Sequence, residues 1–335
     1  TYERKEKALF SYDDIAGEPN SNPVKKINGY LANAPLVFFY KTKIQRSGEL
    51  LMGYGSKPTD GGNLLLDANE YSDLVAQEPL SEKYLRPFKG SHGFINNIER
   101  WCLWFADSNP IELNKDLSEM PLVRQRIEKV KKSRLMSTKA ATVRDAEIPH
   151  LFAERRQPTD GNYILIPKVS SENRKYIPIG FLTSHTVCGD AAFNMIGATP
   201  YHFGLLSSSM HNAFMRLVAG RMKSDYNYSN TIVYNNFPYP FDMKDQNSKT
   251  INAKEVIESA AQAVLDARKH YQDGSEDAPT LAKLYNTYMI DPYPELTKAH
   301  NALDKAVDNA YGYKGKGDDA SRVEFLLKRI AEVLT

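Results

Sequence analysis

The chain has 335 residues, a net charge of only +2, and 41% hydrophobic and 25% charged residues. That length and composition admit one large or two ordinary globular domains, and 18 prolines with 19 glycines argue against global disorder. The mild net charge does not announce a polyanion partner, no stretch approaches the roughly 20 apolar residues of a membrane span, and the two cysteines, Cys102 and Cys188, form no metal or redox motif. Two thiols in so long a chain suit a reducing compartment, so the expected location is cytoplasmic. The start, Thr1 to Lys7, is charged and has no signal-peptide core. The missing initiator Met makes an excised fragment the expectation.

Residues 1–29 are polar around Gly17-Glu18-Pro19-Asn20 and read as a linker or the tail of a preceding domain. Leu36–Tyr40 and Glu49–Tyr54 read as strands split by a turn at Arg46-Ser47-Gly48. The glycine-rich stretch Gly53–Gly62 follows. Asp67 with Glu70 predicts a capped helix to about Gln77. Trp101–Phe105 reads as a strand and Pro121–Leu135 as a helix. Tyr163–Val169 and Tyr176–Leu182 read as strands around the polar loop Ser170–Lys175. Thr199 as N-cap, Pro200 as first residue and Gly220 past the end predict one longer helix with Phe203, Leu206, Met210, Phe214 and Leu217 on its buried face. A strand from Arg221 to Val233 is expected next, closing at Phe237-Pro238-Tyr239-Pro240.

Beyond that point only helices are expected. Val256, Ala260, Val264 and Ala267 mark one, Leu296, Leu303 and Val307 another that ends at Gly312, and Val323, Leu327 and Ile330 a last one. The predicted organisation is α+β: a linker at 1–29, a mixed-sheet domain at 30–241 and an all-helical bundle at 242–335.

Motifs for catalysis are missing. Gly53-Tyr54-Gly55 has no properly spaced third glycine, so a nucleotide loop is a weak reading. There is no phosphate loop and no nucleophile elbow. Asn235-Asn236-Phe237-Pro238 and Asp291-Pro292-Tyr293-Pro294 approach the Asn/Asp-Pro-Pro-aromatic motif of amino-methyltransferases, but neither has adjacent prolines. His211 and His300 read as hydrogen-bonded structural residues. No catalytic residue, metal ligand or cofactor site is expected in this chain.

Two features favour nucleic acid. From Val123 to Arg144 eight basic residues, among them Arg124, Lys131, Lys132, Arg134 and Lys139, stand against one acid, Glu128. A local field of that kind attracts phosphate, although a solvated helix face would look the same. The run Arg221-Met222-Lys223-Ser224-Asp225-Tyr226-Asn227-Tyr228 alternates as a strand should, which sets Lys223, Asp225 and Asn227 on one face about 6.5–7 Å apart. Those residue types match guanine, cytosine and adenine edges respectively. The alternative is a solvated face with a weak Lys–Asp ion pair.

The order of several motifs carries a resemblance. Gly55-Ser56-Lys57-Pro58-Thr59-Asp60-Gly61-Gly62-Asn63-Leu64, Arg86-Pro87-Phe88-Lys89-Gly90-Ser91, Arg100-Trp101-Cys102-Leu103-Trp104, Ser170-Ser171-Glu172-Asn173-Arg174-Lys175-Tyr176 and Val233-Tyr234-Asn235-Asn236-Phe237-Pro238 occur in sequence. Together they resemble the C-terminal half of MmeI-like type II restriction–modification enzymes. The resemblance implies a DNA target-recognition domain followed by a helical tail, with double-stranded DNA as partner. It implies base-reading positions at Lys223, Asp225 and Asn227, and shaping or phosphate-holding roles for the Ser170–Tyr176 run, including Arg174, and for Arg221. In such enzymes an S-adenosylmethionine-dependent adenine-N6 methyltransferase and a nuclease lie upstream, so that cofactor is expected there. Two other readings stay open: a stand-alone enzyme with an unfamiliar site near Gly53–Gly62, and a protein-interaction module using the helical tail.

Overall fold

The computed structural model of the chain describes residues 7–11, 17–47, 49–241, 247–275 and 277–334. A hairpin of β1 (Lys7–Ser11) and β2 (Asn20–Val24) comes first, followed by a strap without helix or strand. The short strands β3 (Gly53–Tyr54) and β4 (Leu65–Leu66) flank the glycine-rich loop. Helix α1 (Ala68–Gln77) begins at Asp67, which accepts from Glu70 N while Glu70 caps the Asp67 amide in return, the reciprocal box its spacing predicts. Then come β5 (Leu85–Lys89), α2 (Ser91–Ile95), β6 (Trp101–Leu103), α3 (Pro110–Glu119), α4 (Pro121–Leu135) and α5 (Ala140–Arg144).

The second half of the mixed region holds β7 (Asn162–Pro167), β8 (Val169–Ser170), β9 (Gly180–Thr183), β10 (Val187–Cys188) and β11 (Ala192–Ile196). It ends with α6 (Pro200–Leu206), α7 (Ser209–Val218), β12 (Gly220–Met222) and β13 (Asp225–Asn227). The remainder is helical: α8 (Ser248–Tyr271), α9 (Leu281–Leu284), α10 (Pro294–Tyr311) and α11 (Asp319–Leu334). Gly312 ends α10 with φ 69°, a left-handed cap that glycine adopts without steric cost.

Besides β1–β2, the strands form sheets ordered β10-β5-β6-β4, β3-β11-β7-β9 and β12-β13-β8. The β10–β5 pair is parallel and the other described pairs between these strands are antiparallel. The expected α+β class, mixed sheets followed by helices, is what the chain adopts. One core joins Leu64, Leu66 and Leu103 to Val123, Ile127 and Val130 of α4. A larger core sets Ile164, Ile166, Phe193 and Phe214 against Ile257, Val264, Leu303 and Leu326 of the tail. The tail helices therefore close the core of the mixed region and are not an appendage. The boundary expected near residue 242 falls within 242–246, outside the described residues.

Several expected elements are corrected. The helix from Thr199 to Gly220 is two helices, because Ser208 stops the first and caps the second by accepting from His211 N. The strand from Arg221 to Val233 is a hairpin, β12–β13, followed by a wide helical turn over Asn230–Tyr234. Leu36–Tyr40 pairs with no described strand, and of Glu49–Tyr54 only β3 pairs. The strand expected from Tyr176 starts at Gly180, since Ile177 N is committed to Asn212 Oδ1 (3.0 Å) and Tyr176 Oη to Asp304 Oδ2 (2.7 Å).

Arg134 is the clearest correction among the charged residues. Helix α4 buries Val123, Ile127 and Val130, and Arg134 occupies the next position of the same stripe. It is 1% exposed and cannot face DNA. Its guanidinium donates to five carbonyls, those of Pro58, Thr59, Asp145, Ile148 and Leu151, at 2.7–3.2 Å. Arg134 thus ties the glycine-rich loop to the segment after α5. Replacing it by Met strands those carbonyls in the interior, at about 1–3 kcal/mol for each group left unsatisfied. The Arg134→Met chain is expected to lose at least about 3 kcal/mol of unfolding free energy in urea; a loss below about 1 kcal/mol would mean that water replaces the guanidinium.

Candidate nucleic-acid interface

The two surfaces that the sequence singles out differ in construction. Glu78 anchors the start of α4, accepting from Leu122 N (2.5 Å) and Val123 N (3.1 Å), which places a carboxylate at the positive end of the helix. Arg126 bends back to the Asn63 and Leu65 carbonyls and to Glu70. Arg124, Lys131, Lys132 and Lys139 remain exposed on the outer side. Of the cluster, then, Arg134 and Arg126 serve the fold and the others face solvent.

The second surface is the β12–β13 hairpin. Met222 pairs with Asp225, so Lys223 and Ser224 form a two-residue turn, and Lys223 takes φ 57°. Glycine or asparagine usually fills such a position, which is why alternation alone misread the run as one strand. Asp225 and Asn227 keep the shared face that alternation predicts; Lys223 does not share it and sits at the tip. Asn227 and Lys223 are exposed and Asp225 is half-buried. The opposite face is closed: Tyr226 is buried, with the Arg221 guanidinium 3.8 Å from its ring centre.

The polar loop after β8 lies at the foot of this hairpin. Tyr226 pairs with Ser170 and Asn227 with Val169. Arg221 donates to Ser224 O (2.7 Å), bracing the turn, and comes within 3.7 Å of Glu172. Arg174 is half-buried, and desolvation lowers its pKa while the nearby Asp225 carboxylate opposes that shift. The structure therefore brings Arg221, Arg174, Asp225 and Asn227 together and leaves Arg124, Lys131 and Lys132 on α4 and Lys139 just ahead of α5. Arg221 and Arg174 spend part of their charge on the hairpin itself.

What holds the hairpin was not visible in any local motif. Tyr228 N donates to Lys168 O (2.7 Å), and Tyr228 Oη lies 2.9 Å from His211 Nε2 on α7. The N-terminus of α7 is in turn held by Asp304 of α10, which accepts from Ser209 N and Ser209 Oγ, both at 2.6 Å, and from Tyr176 Oη. Asp304 is 95 residues from Ser209, so no periodicity or spacing could pair them.

The remaining motifs are structural. A Cβ on Gly55 would lie 2.2 Å from Gly189 O, so Gly55 serves a close backbone approach. Lys57 exchanges backbone hydrogen bonds with Glu154, which leaves the Gly53–Gly62 loop no cradle of free amides at that end. Cys102 and Cys188 are free and buried. Among the described residues no group of His, Cys, Asp or Glu could hold a metal ion, and no helix is long and apolar enough to cross a membrane.

The chain is thus a mixed-sheet region that carries an exposed polar hairpin on a base held by helices. Residues 33–241 match the family described as MmeI, target recognition domain, and residues 249–335 match MmeI, C-terminal domain; the chain belongs to the MmeI target-recognition-domain family. DNA methyltransferase A of Bacillus subtilis (strain 168) is 34% identical over 311 residues, covering 92% of this chain and 33% of that protein. The structure of the type IIL restriction–modification enzyme MmeI in complex with DNA matches with a TM-score of 0.84 at 40% identity, covering 99% of this chain and 42% of that one. The chain thus spans about a third and about two fifths of these two relatives.

The buried histidines make the platform sensitive to acid. Burial lowers His211 to about 3 and holds His300, whose Nε2 lies 2.8 Å from Tyr285 Oη, well below its ordinary value. Both are neutral when folded, whereas the unfolded chain takes up protons below about pH 6.5. Their stabilisation is complete above that value and is lost as the pH falls, by up to about 1.4 kcal/mol per group per pH unit. Unfolding midpoints in urea are expected to drop between pH 7.5 and 5.5, and His211→Gln to flatten the slope. A midpoint independent of pH in the wild-type chain would contradict the neutral assignment.

Proposed function

We propose that this chain reads a short DNA sequence for a restriction–modification enzyme and presents the site to an S-adenosylmethionine-dependent adenine-N6 methyltransferase domain of the same polypeptide. The observation that carries this reading is the 0.84 TM-score match, over almost the whole chain, to an enzyme solved with DNA. In this proposal methylation and its cofactor belong to the portion of the parent beyond this chain; the Ser56-Lys57 part of the Gly53–Gly62 loop is bridged to Gly189 and Glu154. A nuclease in the same parent polypeptide is part of the proposal. The buried free thiols accord with a cytoplasmic enzyme.

In this reading Asp225 and Asn227 present their side chains from β13 and Lys223 reaches from the turn. Lys223 donates to guanine O6 and N7, Asp225 accepts from cytosine N4, and Asn227 recognises adenine. Arg124, Lys131, Lys132 and Lys139 attract the phosphate backbone, while Arg221 and Arg174 support the hairpin next to it. Arg134 has no part in DNA contact, for the reason given above.

The test is an exchange of charges at the hairpin tip in the full-length enzyme. Lys223→Glu with Asp225→Arg puts an acceptor at the tip and a forked donor on the strand. Each good base contact contributes on the order of 1–3 kcal/mol of discrimination, so either single change is expected to lose about 10- to 100-fold in methylation rate. The double variant is expected to recover on a site with that one G·C pair reversed, in a methylation assay over all four base pairs at each position. If the double variant keeps the original site at full rate, these two side chains do not read DNA.

A further inference from the structure

The strap ahead of β3 combines a rigid backbone with an apolar outer row. Val37 is buried and Phe39 packs edge-on against Phe214 with ring centres 5.2 Å apart, while Leu36, Phe38 and Tyr40 between and around them are 63%, 61% and 74% exposed. This is the alternation of a strand with one face buried, and its outer residues stand about 6.5–7 Å apart along the chain. Ile44 and Leu51 extend the exposed apolar set. Among the described residues none pairs with the backbone of Leu36 to Phe39.

This exposure does not come from a loose segment. Asn235 Nδ2 donates to Thr42 O (2.6 Å), Asn236 Nδ2 to Tyr40 O (3.0 Å) and Gln45 Nε2 to Phe237 O (2.8 Å), while Thr42 N and Arg46 N donate to Thr231 O and Asn235 O. The Val233–Pro238 motif, which no step of DNA reading uses, is the fastening that holds the strap in place. A backbone so fastened, with large apolar side chains turned outward and unpaired amides along the row, is the construction of a docking face.

We propose that this strap is the docking face for the methyltransferase portion of the parent polypeptide, an inference that rests on the functional reading above. The occupant is argued from length and charge. More than half of MmeI and two thirds of the Bacillus protein lie outside the matched region, so a large neighbour in the same polypeptide is the expected cover. From Pro35 to Ser47 the strap carries Lys41, Lys43 and Arg46 and no acid. The complementary surface is accordingly an apolar patch rimmed with carboxylates, laid along the row or paired to its free amides as an added strand.

Hydrogen exchange of the amides of residues 36–40, compared between this chain alone and the full-length enzyme, tests the proposal. The amides are expected to exchange freely in the chain and at least about tenfold more slowly in the full-length enzyme. As a second measurement, Leu36→Ser, Phe38→Ser and Tyr40→Ser together leave the unfolding midpoint of the chain unchanged, since these side chains face outward, and lower methylation by the full-length enzyme about tenfold or more. Equal exchange rates in the two forms, in an enzyme that does methylate DNA, overturn the docking face and leave the DNA-reading proposal intact. Self-association of the isolated chain that the triple change abolishes, with no protection in the full-length enzyme, assigns the face to a second copy instead. A parent polypeptide with no methyltransferase activity overturns the functional reading, and this inference with it.

Discussion

One buried carboxylate sets the position of the β12–β13 hairpin. Asp304, on a helix of the tail, receives the first amide and the hydroxyl of Ser209 and the phenol of Tyr176. A carboxylate at the start of α7 satisfies an amide that has no partner within its own helix and meets the positive end of the helix dipole. The C-terminal end of α7 leads directly into the hairpin, and His211 on the same helix steadies Tyr228 beyond it. The angle at which Lys223, Asp225 and Asn227 project is therefore governed by a contact between the mixed region and the tail. Tyr176, stacked on His300 with ring centres 4.0 Å apart, and Arg268, donating to Ile179 O and Tyr285 Oη, extend the same junction.

This arrangement separates an exposed polar edge from a buried base. The base of the hairpin is buried and fully engaged: Tyr226 under Arg221, Tyr228 between Lys168 and His211, Ser170 paired across to β13. The side chains proposed to meet bases stand above that base, and Lys223 and Asn227 make no side-chain hydrogen bond or ion pair to another described residue. A change of those two can alter the surface chemistry without a cost to the core. Asp225 is less free, because its charge also faces Arg174, and substitutions there act on both hairpin geometry and contact.

The parts legible in the sequence were those decided locally. The Asp67–Glu70 box, the extent of α4, the apolar stripes of α10 and α11 and the glycine that ends α10 all rest on interactions within a few residues, and the structure shows them as read. Helix α8, by contrast, buries Ile257, Ala261 and Val264 and leaves Val256 of the expected stripe 51% exposed. Ordered motifs also gave the family. Non-local decisions were not legible. Arg134 looked like one cation among eight, although its place four residues after Val130 on the buried stripe was a signal that charge counting overrode. The turn at Lys223 lacks the glycine or asparagine that marks a two-residue hairpin, so alternation ran straight through it. Leu36–Tyr40 has the alternation of a strand, but pairing requires a neighbour that sequence periodicity cannot supply.

The central claim is that the hairpin carried on α7, and not the basic helix α4 alone, lies against DNA. The two native thiols are buried, so a cleavage reagent such as an iron chelate can be attached selectively to a new cysteine at Ser224→Cys, and in a separate chain at Lys132→Cys. With a mixed-sequence duplex at low salt, the account predicts strand cleavage from position 224 at least as efficient as from position 132. Cleavage from position 132 with none from position 224 would place DNA on α4 and contradict it.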